Sequence, residues 1–151
     1  MSMQTTSGKS NHAAAAAMIR AELKRRGFKC SVTSESYSMG NSVRVRIVGD
    51  LMPATVKAIN AYCDQFQYGH FDGMIDCYEY SNRRDDLPQS KYVHVEIEYS
   101  EAIKSEVKAY LANIGNMEDY ERRNLEWPVL NGSWGSFWTK RKPHVRAEVQ
   151  P

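Results

Sequence analysis

Residues 67–80, QYGHFDGMIDCYEY, hold the densest set of chemically capable side chains in this 151-residue chain. His70, Asp72, Asp76, Cys77 and Glu79 stand among Tyr68, Phe71, Tyr78 and Tyr80. Imidazole and carboxylates this close are the right types for acid–base catalysis or for a hard metal ion. The spacing argues against both. On a strand Asp76 and Glu79 point to opposite faces. His70 and Asp72 lie beside Gly69 and Gly73, where Asp commonly bonds the backbone of its own turn. A structural turn is therefore expected, with neither a catalytic group, nor a metal, nor a cofactor. Cys63 and Cys77 fall on inward-facing stripes, where a free thiol behaves as a small hydrophobe. Gly8-Lys9-Ser10 is not a phosphate loop, because Met3 stands where its first glycine belongs.

Two other sets of residues have the types for binding. Lys29, Arg44 and Arg46 can form a basic outward face on an early hairpin. Trp134, Phe137 and Trp138 precede Lys140, Arg141 and Lys142 in an aromatic, basic tail. Aromatic stacking combined with backbone charge is how single-stranded nucleic acids are held. The competing arrangement pairs Arg44 and Arg46 with Glu96 and Glu98 across the sheet. For a protein partner the candidates are Tyr37, Trp134 and Trp138, with an acidic set of Asp72, Asp76, Asp85, Asp86, Glu96 and Glu98. Aromatic anchors are common in protein interfaces, and the acids can imitate a nucleic-acid backbone. The tail has a structural alternative, in which Trp134, Phe137 and Trp138 fold back over the exposed sheet face.

The elements that must position these residues follow from periodicity. Residues 1–10 are small and polar and read as a flexible arm. Asn11 can cap an alanine-rich helix that Gly27 stops after Lys24, Arg25 and Arg26. Phe28, Cys30 and Val32 alternate with polar residues, as do Val43, Val45 and Ile47, which predicts a hairpin turning at Gly40-Asn41. Pro53 opens a second helix, with Val56, Ile59, Cys63 and Phe66 on one stripe. Residues 74–80 and 91–100 both alternate, and the polar loop between them reads as a second hairpin. Ser100 can cap a third helix carrying Ile103, Val107, Tyr110, Leu111 and Ile114. A short helix ending at Pro128 follows. The predicted class is α+β: a four-stranded antiparallel sheet from two hairpins, helices on one face, in the order α-β-β-α-β-β-α plus a C-terminal helix and tail. Residues 11–130 form one domain, and residues 131–151 are the tail.

Net charge is +2 overall, split as +5, −4 and +1 over residues 1–50, 51–100 and 101–151. A basic first third attracts phosphates, and an acidic middle attracts a basic partner. An odd count of three cysteines without a CxxC pair fits a reduced, cytoplasmic protein. No run approaches a membrane span, so no membrane partner is expected.

SVTSESYSMGNSVRVRI (residues 31–47) and FQYGHFDGMIDCYEY (residues 66–80) resemble a family of small domains. These domains occur in the large polyvalent proteins of phages and conjugative elements, and in stand-alone relatives. The Ser-Tyr-Ser-x-Gly turn before a basic alternating strand carries the likeness, together with Phe-Asp-Gly-Met-x-Asp before aromatic and acidic residues. It covers roughly residues 14–100. The resemblance implies a mobile-element protein inside a bacterial host. By context it implies a stoichiometric inhibitor of a host defence complex, such as an anti-CRISPR protein, acting without catalysis. The second expectation is a nucleic-acid-binding accessory protein that accompanies incoming DNA.

Overall fold

The computed structural model describes residues 10–141. The first helix, α1 (Asn11–Arg25), starts one residue earlier than expected, because the Ser10 hydroxyl accepts the Ala13 amide at 3.4 Å. Its five consecutive alanines cost no side-chain entropy. Ala15, Ala16, Ile19 and Leu23 are fully buried on one stripe. The stripe lies on β1 (Lys29–Tyr37) and β2 (Gly40–Val48), an antiparallel hairpin. Register runs from Lys29 opposite Val48 to Tyr37 opposite Gly40, so the turn is Ser38-Met39 rather than Gly40-Asn41.

α2 (Pro53–Asp64) follows, with Pro53 in its first turn and Thr55, Ile59 and Cys63 buried. The chain then makes two very short strands, β3 (His70–Asp72) and β4 (Cys77–Glu79), which pair only with each other. β5 (Tyr92–Glu98) joins the first hairpin and lies parallel to β2, with Val43, Val45 and Ile47 beside Val93, Val95 and Ile97. The architecture is thus mixed α and β, with a three-stranded mixed sheet ordered β1-β2-β5 and a separate two-stranded ribbon. The expected four-stranded antiparallel sheet does not form. A parallel neighbour requires a crossover over the sheet, and α2 supplies it. The residues expected to start the second hairpin at Met74 are instead the tip of the β3–β4 turn.

α1 and α2 cover one face of the main sheet. Val32, Val43, Val45 and Ile47 are buried there with Phe28, Leu51, Cys63 and Phe66. Each large aliphatic side chain so buried contributes about 1.5–3 kcal/mol. The opposite face carries exposed Ser31, Thr33, Arg44, Arg46, His94, Glu96 and Glu98.

The C-terminal third builds a second core. The Ser100 hydroxyl caps α3 (Glu101–Ala112) by accepting the Ile103 amide, and donates to Asp50 at 2.6 Å. α4 (Asp119–Asn131) continues through Pro128, correcting the expectation that the helix stops there, and ends at Gly132 with φ of 85°. The Pro128 carbonyl is used by the amides of Ser133 and Trp134, which close the end of the helix. α5 (Phe137–Lys140) completes the set. Ile103, Val107, Leu111, Val129, Leu130 and Phe137 are buried together with Tyr99, and Ile97 touches both cores.

Candidate partner-binding surface

The β3–β4 ribbon is held tightly at its base. Gly69 faces the Glu79 carbonyl so closely that a Cβ there would sit 2.0 Å from that oxygen. Gln67 donates to the Gly69 carbonyl at 2.7 Å and accepts the Val93 amide at 2.8 Å, stitching the ribbon to β5. The Tyr78 hydroxyl donates to the Lys91 carbonyl at 2.6 Å. Loss of solvation, then the neighbouring tyrosines, push that hydroxyl up to about 12, so it stays a donor. Gln89 is nearly buried and donates to the carbonyls of Gln65 and Asn82.

At the other end the ribbon carries the apolar tip of the molecule. Met74 is 92% exposed, Ile75 57% and Phe71 52%. Asp72 holds the turn, its Oδ1 accepting the Met74 amide at 2.9 Å, as the glycine-flanked spacing predicts. Asp76 adopts a left-handed backbone at φ 54° and lies in the turn, not on a strand. Cys77 is exposed rather than inward-facing, because the ribbon has no layer behind it.

The side chains of the opening cluster take mostly local partners. His70 Nδ1 bonds the Ser81 hydroxyl at 2.8 Å. The Cys77 thiol is pushed up by lost solvation, then by the charges and hydrogen bond of Glu79 and by Asp72, which is the opposite of nucleophile activation. Burial lifts the Cys63 thiol to about 12. Among the described residues, no three His, Cys, Asp or Glu side chains converge to hold a metal ion.

The expected binding residues scatter. Arg44 reaches Glu96 at 3.5 Å, and Arg46 reaches Glu96 at 3.6 Å and Glu98 at 3.1 Å. The cross-sheet pairing therefore forms, and Glu96 and Glu98 do not join the loop acids as an unpaired patch. Asp86 pairs with Arg84, which lowers its carboxyl below the usual range, while Asp85 is exposed next to it. Tyr37 is exposed at the end of β1. Trp134 and Trp138 pack into the second core, and the Trp138 indole donates to the Leu130 carbonyl at 2.8 Å. They cover α3 and α4, not the open sheet face. Arg141 pairs with Glu106 at 2.8 Å, while Lys140 and Lys29 are exposed. Lys142 lies outside the described residues.

Sequence reasoning missed a row of rings that the ribbon brings to β5. Ring centroids of His94 and Tyr92 are 6.0 Å apart, Tyr92 and Tyr78 5.6 Å, Tyr78 and Tyr80 5.3 Å, and Tyr80 and Tyr68 5.6 Å. Lys91 sits over Tyr78 and Tyr92, and Arg83 over Tyr68 and Tyr80. The alternating tyrosines at 78, 80 and 92 were the available signal, but nothing in their spacing says that β4 folds beside β5.

A family model described as large polyvalent protein associated domain 29 matches residues 10–110. The chain belongs to that family. The matched span of this large polyvalent protein associated domain runs from α1 into α3, and includes the ribbon and the tyrosine row. It ends before α4, so much of the second core lies beyond it. Membership associates the chain with phage and mobile-element proteins. Comparisons with curated proteins and with solved structures gave no significant match. Among the described residues, no helix is long and apolar enough to cross a membrane.

Proposed function

We propose that this domain is a non-catalytic binding protein of a phage or other mobile element. It occupies a protein surface on a host defence complex, a CRISPR effector being the most concrete form, and works in the host cytoplasm. The observation that carries the reading is the tip of the ribbon. Three large apolar side chains, Phe71, Met74 and Ile75, project into solvent from a tightly fastened turn. Clustered exposed apolar groups mark interaction sites in soluble proteins. A fastened turn also loses little entropy when it docks. Asp72 serves that contact by shaping the turn, and Tyr37 and Asp85 are exposed as well.

The test is a pull-down from host lysate, with and without nuclease, comparing the wild type with Met74→Asp. The expected result is a protein partner retained after nuclease and lost with Met74→Asp, at unchanged circular dichroism. A partner recovered only through nuclease-sensitive material, or captured equally by both forms, overturns the proposal.

A further inference from the structure

The tyrosine row lies at the border of the ribbon and the open face of the main sheet, and the tip of the ribbon does not contribute to it. Its rings are not sealed in a core. Tyr80, His94 and Arg83 are exposed, and Tyr68, Tyr78 and Tyr92 are half-buried. On the open face the row continues into Arg44, which neighbours His94 in register.

Its two cations lie against rings rather than against carboxylates. Most of the arginines are neutralised by carboxylates: Arg25 and Arg26 by Glu22, Arg44 and Arg46 by Glu96 and Glu98, Arg84 by Asp86, Arg122 by Asp119 and Arg141 by Glu106. Arg20, Arg123 and most of the described lysines stand outside these pairs, and so do the two cations on the row. Among the described residues Arg83 and Lys91 make no ion pair, and both rest against ring faces. Lys29, at the far edge of the open face, is likewise without one. The row therefore offers the exposed rings of Tyr80 and His94 beside positive charge that no carboxylate pairs among the described residues. A ligand that uses both needs flat rings carried on an anionic backbone.

We propose that the face formed by Tyr80, Tyr92, His94, Arg83 and Lys91 binds single-stranded nucleic acid. Bases stack on the exposed rings, and phosphates meet Arg83 and Lys91. A duplex keeps its bases stacked on one another and cannot offer them to the rings. The site is independent of the apolar tip.

The test is fluorescence anisotropy of a labelled oligothymidylate, with its duplex and polyglutamate as competitors. The oligothymidylate is expected to bind, and the duplex to compete at least about tenfold more weakly. Polyglutamate, which has charge but no rings, is expected not to compete. The logarithm of affinity should fall with the logarithm of salt at a slope of about −1.4, as for two phosphates on a single strand. Tyr80→Ala should weaken binding about tenfold, within the range for one stacked base. Arg83→Gln should lower the slope by about 0.7. Met74→Asp should bind the oligothymidylate as the wild type does, which separates failure at this face from failure at the tip. Absence of binding, equal displacement by polyglutamate, or unchanged affinity in a natively folded Tyr80→Ala overturns the proposal. Displacement by polyglutamate would instead assign the face to an acidic protein segment.

Discussion

Asp72 shows how a residue of catalytic type can be taken up by structure. Its carboxylate accepts the Met74 amide inside a four-residue turn between two three-residue strands. Asp72→Ala should cost about 1 kcal/mol, the usual worth of one such bond. For a chain of this size that lowers the melting temperature by about 2–4 °C. An unchanged melting temperature with lost partner binding would move Asp72 from the turn to the interface. Glu22 is the clearest case of pH sensitivity. Hydrogen bonds from Arg25 and Arg26 pull its carboxyl from 4.5 down to about 2. A depressed carboxylate stabilises the fold above about pH 4.5 and loses that contribution as pH falls towards 2. Glu22→Gln should therefore be less stable than the wild type at neutral pH, and the gap should close through that acid window in urea titrations.

At the scale of elements, α1, α2, α3 and the β1–β2 hairpin were legible because each carries a long, unbroken period. Ile19 and Leu23, Val43 to Ile47, and Ile103 to Leu111 all face where their spacing puts them. Short elements were not legible. β3 has three residues, too few for alternation to register, and without β3 the strand at Tyr78 was assigned to the wrong partner. Alternation also says nothing about which strand lies next to which, so β5, expected as a hairpin arm, lies instead as a parallel neighbour of β2. Pro128 misled for a local reason. Its ring removes one helical hydrogen bond, yet burial of Val129 and Leu130 in the second core carries α4 past it. The ribbon gives a sharp test at Gly69. A Cβ there would collide with the Glu79 carbonyl and the Tyr78 ring. Gly69→Ala should destabilise by about 2 kcal/mol or more, as overpacking does. Hydrogen exchange should accelerate first in residues 70–79, before the main sheet opens.

At the scale of the whole molecule, the chain has two cores joined through Ile97 and the Asp50–Ser100 contact. The tail residues read from sequence as a possible partner arm are instead part of the second core. Phe137 is buried, Trp138 bonds Leu130, and Arg141 pairs with Glu106. Truncation after Asn131 should expose Ile103, Val107 and Leu111 and lower the melting temperature by more than 5 °C, the scale expected for losing a buried aromatic. A truncated form that melts like the full chain would return the tail to an interaction role. The candidate surfaces were less legible than the fold. The exposure of the apolar tip was invisible, because Met74 and Ile75 read as strand residues and Phe71 as part of a turn until β3 and β4 are placed. The tyrosine row needs the register of two separate sheets.

The parallel contact of β2 with β5 has a consequence for the order of events in synthesis. Val43 meets Val93, fifty positions later, so the middle strand has no second neighbour until the crossover and the ribbon have both emerged. Until then the backbone of β2 on that side presents an open edge, the kind of edge that pairs with other chains. High-separation contacts also slow the final closure. Newly made chains released at high concentration should therefore lose material to aggregation before β5 arrives. Slower production at lower temperature should recover it without any change in sequence.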